Sequence, residues 1–210
     1  MELSEIFYSL QGESSYAGLP CVFVRLAGCN LRCIYCDTKY AYEPEFTLSV
    51  KGILREVEKY HPVKLVEITG GEPLFQKGSI ELMELLLNKN YKVLLETNNS
   101  ISLEAVPDQV IKIVDFKTPS SGMSNNMLFD NVRFLNAHDE LKFVISDRRD
   151  FDWALMIIKK YNLLKFRILF SPVFRKLDST TLAEWILKAK FEIRMNLQLH
   201  KVLWGNKRGV

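Results

Sequence analysis

The chain's 210 residues are 48% hydrophobic and 25% charged, the composition of a soluble globular protein long enough to bury one real core. Its net charge of +3, from 28 basic and 25 acidic side chains, is too small to argue for nucleic acid or an anionic membrane as a partner. No apolar run approaches the ~18 residues of a spanning helix, and MELSEIFYSLQGE carries early acids without a long apolar stretch, so neither a membrane span nor a signal peptide is expected and the expected location is the cytoplasm.

In chain order, short β-branched runs predict strands at Cys21–Ala27, Lys64–Thr69, Lys92–Thr97, Ile111–Phe116, Leu141–Ser146 and Phe166–Ser171, with RMNLQLH (Arg194–His200) as a seventh. Helical patterns fall between many of them. Val50, Ile53, Leu54, Val57 and Tyr60 follow the helical period behind Ser49 as N-cap, and Ile80, Met83, Leu86 and Leu87 do so behind Ser79. FDWALMIIKKYN follows Asp150 in the same way, and Thr181 with Glu184 has capping-box spacing before WILKAK. Strands alternating with helices predict an α/β fold of βαβ units with mostly parallel strands, either a shortened β/α barrel or an open sheet, as one domain over residues 1–210. Loops after the C-terminal ends of such strands carry the chemistry. The cysteine-rich loop, Gly70–Pro73, Thr97–Asn99 and Lys117–Gly122 each follow a predicted strand, so they are expected at one rim.

That cysteine-rich loop is GCNLRCIYCDT, Gly28 to Thr38, holding three of the four cysteines in the spacing C-x-x-x-C-x-x-C. In a reducing compartment such a group binds metal or does redox chemistry rather than forming disulfides. Structural zinc takes four ligands, commonly in two pairs, yet no second pair exists: Cys21 falls inside a predicted strand as a small core residue, and His61, His138 and His200 are isolated. A compact three-thiolate loop suits an iron–sulfur cluster better. Three ligands on a 4Fe-4S cluster leave one iron open to bind a small molecule.

The spacing, with Tyr35 before the third cysteine and Gly70-Gly71-Glu72-Pro73 after the next strand, resembles the radical S-adenosylmethionine (SAM) superfamily. FYSLQGES, FVRLAGCNLRCIYCDT, ITGGEPL and the final LWGNKRGV together resemble the 7-carboxy-7-deazaguanine synthase family, which serves the route to deazapurines such as queuosine. A glycyl-radical activase would lack the LQGE start and the WGNKRGV end; a zinc-stabilised binding module is the reading from another class. Ser14 is one departure, since many members continue LQGEG.

The resemblance implies a carbon–nitrogen lyase with one 4Fe-4S cluster, SAM and Mg²⁺. Reductive cleavage of SAM would yield a 5′-deoxyadenosyl radical. That radical would take hydrogen from C6 of 6-carboxy-5,6,7,8-tetrahydropterin, leading to ring contraction and loss of ammonia. Cys29, Cys33 and Cys36 would ligate the cluster and Thr38 the Mg²⁺, an ion that prefers oxygen ligands. Tyr35, Cys36, Asp37, Gly71, Glu72, Asp115, Phe116 and Lys117 would contact SAM, with Gly71 admitting close approach and Glu72 adding an acceptor. Leu10, Gln11, Gly12, Glu13, Arg25, Thr69 and Val210 would contact the pterin substrate, with Arg25 on its carboxylate and the tail folded over the site. A reducing electron-donor protein and a homodimer are also implied.

Overall fold

The computed structural model describes residues 1–210. Its strands are β1 (Glu2–Leu10), β2 (Pro20–Leu26), β3 (Phe46–Thr47), β4 (Leu65–Gly70), β5 (Lys92–Thr97), β6 (Ile111–Phe116), β7 (Glu140–Ile145), β8 (Arg167–Pro172) and β9 (Ile193–Met195). They form one sheet in the order β3-β1-β2-β4-β5-β6-β7-β8-β9. From β2 through β9 every neighbouring pair is parallel, while β1 and β3 add antiparallel at one edge. The two end strands do not pair, so the sheet is an open, partial barrel.

Two strands were absent from the sequence reading. β1 lacks a clean period of two because its register with β2 shifts between Leu3 and Glu5, which disturbs the alternation. β3 is only two residues long. The seventh expected strand is also shorter than predicted. The Asn196 amide still donates to the Phe170 carbonyl of β8 (2.8 Å), but that of Leu199 turns to the Gly12 carbonyl (2.8 Å), so the chain leaves the sheet between them.

The helices are α1 (Val50–Glu58), α2 (Gly78–Asn88), α3 (Arg148–Lys160), α4 (Ser179–Ala189) and α5 (Leu199–Trp204). Ser49 caps α1 as predicted, accepting from the Gly52 amide at 3.1 Å. The other three expected starts move. α2 grows directly out of the Pro73–Phe75 turn, with Lys77 at the N-cap position, and Ser79 lies inside its first turn. Asp147, not Asp150, caps α3; Asp150 is fully buried because the amides of Ser120 (2.9 Å) and Ser146 (3.0 Å) both donate to it. Asp178 caps α4 by accepting the Thr181 amide at 2.9 Å, and Glu184 pairs instead with Lys188.

Strand alternation sorts the side chains. One set, including Val22, Val24, Ile68, Leu95, Val114, Phe116, Phe143 and Phe170, joins residues of α1 to α4 in the main core. The alternate set begins apolar, with Cys21, Phe23, Leu65, Leu94, Ile111 and Ile113 in a second cluster. Farther along the same strands it becomes polar, with Arg25, Glu67, Thr69, Glu96, Asp115 and Lys142. Fold and site therefore use opposite faces of the same strands.

A separate buried pair stands at the start of β6. The Lys112 ammonium lies 3.1 Å from Asp139, whose carboxylate also accepts the amides of Lys112 (2.8 Å) and Asn136 (2.7 Å). Asp139→Ala leaves a buried ammonium without its counter-charge, held only by the Val110 carbonyl at 3.4 Å, and two amides without acceptors. It is expected to cost ~3–5 kcal/mol, checked by the urea-unfolding midpoint against the parent.

Candidate active site

The loop leaving β2 is held from several sides before its cysteines begin. The Gly28 amide donates to the Ala41 carbonyl (2.8 Å), that of Cys36 to Cys33 (3.2 Å), and that of Ile34 to Ser121 (3.0 Å). Arg32 donates to the Cys29 carbonyl at 2.7 Å. The Tyr35 hydroxyl reaches Thr118 Oγ1 at 3.1 Å, fastening the loop to the end of β6. The free thiols of Cys29, Cys33 and Cys36 are half-buried and line one cavity of about 220 Å³. Burial raises the Cys29 thiol and pushes Cys33 up to about 11. Thr38 lines the same wall, with Oγ1 3.8 Å from Cys36 Sγ.

Gly70 and Gly71 are required by this loop. At Gly70, φ is +143°, and an added Cβ would lie 2.1 Å from the Leu26 carbonyl oxygen. A Cβ on Gly71 would lie 2.1 Å from the Gly28 oxygen and 2.8 Å from Cys29 Cβ. The expectation that Gly71 leaves room for SAM therefore meets a prior claim on that room by the chain's own backbone. Glu72 departs further from expectation. It is fully buried, does not line the cavity, and accepts from Leu74 N (3.0 Å), Thr97 Oγ1 (2.9 Å) and Asn98 N (2.7 Å). Its carboxylate ties the glycine turn to the end of β5. Phe116 likewise faces away. As the alternate neighbour of Asp115 it packs on Phe143 with ring centroids 5.2 Å apart.

The other sixteen residues expected at the site all line the cavity. Arg25 donates from Nε to Glu5 at 2.7 Å, an ion pair within the protein itself. Glu5 takes only that edge of the guanidinium. Asp115 accepts from Lys117 at 2.7 Å through Oδ2, while its buried Oδ1 has no partner. Burial opposes the charge on Lys117, yet Asp115 raises its pKa further. Thr69 donates to Glu96 at 3.4 Å. Gly12 leaves room for an imidazole, since a Cβ there would lie 2.1 Å from His200 Nδ1.

Sequence reasoning missed the charged floor. Glu67 and Glu96 interrupt the apolar stretches of KLVEIT and KVLLET beyond their leading lysines, and Lys142 is the single charge in LKFVIS; that was the available signal. Lys142 donates to Glu13 (2.8 Å) and to Glu96. Burial works against ionising Glu13, but Lys142 and a bond from Gln198 outweigh it and bring the pKa down to about 2. Glu67 accepts from the Gln11 amide; burial, reinforced by Glu96, pushes it up to about 8. The tail closes one side. Gln198 donates to Glu13 (2.9 Å), Lys201 pairs with Asp37, and Val210 reaches the cavity wall.

These residues fit the expected groups. Three free thiols face a common space, and beside them a buried carboxylate oxygen lacks a donor. An aminoacyl-nucleoside such as SAM carries ammonium and hydroxyl donors to meet it.

A partial parallel barrel with three thiols on the loop after its first parallel strand defines a class. The model described as the Radical SAM superfamily matches residues 24–177. Along the full chain, the similarity is to the 7-carboxy-7-deazaguanine synthases of Koribacter versatilis (44% identical, 97% of each chain) and Chlorobaculum tepidum (44%, 100% of this chain and 97% of that one). The chain belongs to the 7-carboxy-7-deazaguanine synthase family. Its fold is that of QueE from Escherichia coli, with a TM-score of 0.79 at 22% identity over 95% and 94% of the two chains. No helix is long and apolar enough to cross a membrane.

Gly71→Ala tests whether this glycine shapes the cysteine loop. The overpacking is expected to cost at least ~1–3 kcal/mol and to lower iron and sulfide content after anaerobic reconstitution, with the far-UV circular dichroism spectrum retained. Full cluster content with weakened SAM binding alone would return the residue to its expected role.

Proposed function

We propose that the chain, as one radical SAM domain over residues 1–210, converts 6-carboxy-5,6,7,8-tetrahydropterin to 7-carboxy-7-deazaguanine with loss of ammonia. That makes it a carbon–nitrogen lyase of a deazapurine route such as that to queuosine. The observation that carries the reading is one cavity lined by three free thiols, an arginine and a set of buried carboxyls, in a chain 44% identical end to end to synthases of that name.

Cys29, Cys33 and Cys36 would hold a 4Fe-4S cluster, and that cluster with bound SAM supplies one-electron hydrogen abstraction. Asp115 Oδ1 would accept from SAM. Tyr35, Cys36, Asp37, Gly71 and Lys117 would complete its pocket, with Glu72 and Phe116 supporting from behind. For the substrate, Arg25 retains its terminal nitrogens because Glu5 occupies only Nε, and a guanidinium end can pair a carboxylate in two parallel bonds. Glu13, held ionised, accepts ring N–H groups. Glu67, pushed up by burial and by Glu96, can both donate and accept in its protonated form. Leu10, Gln11, Gly12 and Thr69 line the same face, and the tail through Val210 excludes water. Thr38 offers Mg²⁺ one hydroxyl, leaving its other positions to substrate oxygens and water. The reading includes a cytoplasmic homodimer served by a reducing electron-donor protein.

The test is anaerobic turnover of the carboxy-tetrahydropterin with SAM, Mg²⁺ and a strong reductant. Carboxy-deazaguanine is expected, and its absence from protein with an intact cluster would refute the reading. Cys33→Ala is expected to abolish SAM cleavage. Thr38→Ala should keep the cluster and weaken the response to Mg²⁺; an unchanged Mg²⁺ titration would make Thr38 a turn residue.

A further inference from the structure

Lys142 is the most heavily engaged buried cation in the cavity, and neither the family motifs nor the sequence expectations assign it a role. It sits on β7 and is 4% exposed. Its ammonium lies 2.8 Å from Glu13, in a close pair with Glu96, and 4.0 Å from Asp115. These carboxylates come from three separate segments: the loop after β1, the strand β5 and the strand β6. The sheet ladder sets β5, β6 and β7 side by side, and the ammonium offsets the repulsion these carboxylates would otherwise exert on one another across a dry floor.

A core ion pair needs one carboxylate per cation. Here the carboxylates outnumber the lysines even after Lys117 pairs with Asp115, and Glu67 adds another carboxyl to the wall. That excess presents acceptors to the cavity and suits a ligand with a row of N–H donors, such as the amino-pyrimidinone edge of a pterin.

We propose that Lys142 is a positioning residue for the substrate: by clasping Glu13 and Glu96 it fixes acceptor oxygens at the cavity floor, where they select a planar ring by its N–H edge. This rests on the functional reading above. Lys142 need not touch the reacting atoms, because the effect passes through Glu13. The other charged or titratable groups around Glu13 are His200 from the tail, Glu67 from β4 and Asp37 from the cysteine loop. Those around Lys142 are Glu96 and Asp115, and its charge also reaches Glu67, Asp37 and His200.

Lys142→Met is the direct test, using reconstituted full-length protein with wild type in parallel. Losing a charge-assisted bond network should raise KM for the pterin about ten- to a hundredfold, with a smaller change in kcat. The pH profile should also move. Lys142 holds Glu13 below its ordinary pKa, so the carboxylate of the wild type survives to low pH. Without Lys142, Glu13 takes its proton at higher pH, and His200, freed from the same cation, shifts the same way. The acid limb of kcat/KM should therefore move upward.

If Lys142→Met does not fold, the pair Lys142→Met with Glu96→Gln removes one repelling charge and carries the same test, since Glu13 stays unclasped. A folded variant with unchanged KM and acid limb overturns the proposal while wild-type turnover preserves the functional reading. Equal losses in KM and kcat with a fixed pH profile also overturn it, by making Lys142 merely structural. Wild-type protein that does not act on the pterin overturns both readings together.

Discussion

The site depends on how closely the backbones leaving β2 and β4 approach each other. Their parallel register ends on Leu26 opposite Gly70, and hydrogen bonding continues past it, from Gly71 N to the Leu26 carbonyl (3.1 Å) and from Glu72 N to that of Gly28 (2.9 Å). No side chain fits between these segments, so two glycines stand there. Cys29 begins its loop from a clamped backbone. Glu72 extends the clamp sideways by accepting from the end of β5, and Asn98 beyond it approaches Cys29 Sγ at 3.7 Å. Three strand ends thus set the position of the first thiol, as a cofactor site on rigid elements requires.

The same strands solve a second problem by their period of two. Outward residues pack under helices, and inward residues pass from apolar at one end to charged at the other. Burying several charges together is a poor source of stability, because desolvation offsets most of the Coulomb gain. The Lys142 group therefore makes little sense as a folding device. Lys112 with Asp139 is the contrast: one cation and one anion, each almost fully buried and away from the cavity, with both carboxylate oxygens occupied.

Much of this was legible in advance. The parallel strands β2 and β4 to β8 announced themselves by β-branched runs, β9 only through part of RMNLQLH, and the loops after those strands did gather at one rim. The errors have local causes. Ser79, Asp150 and Thr181 looked like caps because a polar residue preceded an apolar period, yet the Pro73–Phe75 turn, Asp147 and Asp178 competed more successfully for the same helix starts. Glu72 looked like a ligand because the motif places it beside the cysteine loop. Only three dimensions show that its oxygens already serve β5. Lys142 was hidden by the opposite effect, since a single lysine within LKFVIS reads as an irregularity in a buried strand until its partners arrive from distant segments.

The tail shows why exposure in sequence does not predict freedom in the fold. Short terminal segments with two glycines ordinarily lack enough contacts to order. This one makes its contacts on carboxylates that the body already holds in place. Asp37 receives Lys201. Glu13 receives Gln198 at 2.9 Å. Arg208 lies 3.9 Å from Glu5 and 3.8 Å from the Tyr40 ring centroid. Glu5 also anchors Arg25, and Glu13 also anchors Lys142. The tail is therefore bonded to the same carboxylates that orient the two cationic walls of the cavity. Tail contacts and wall orientation draw on shared acceptors, and removing the tail would take partners from both carboxylates at once.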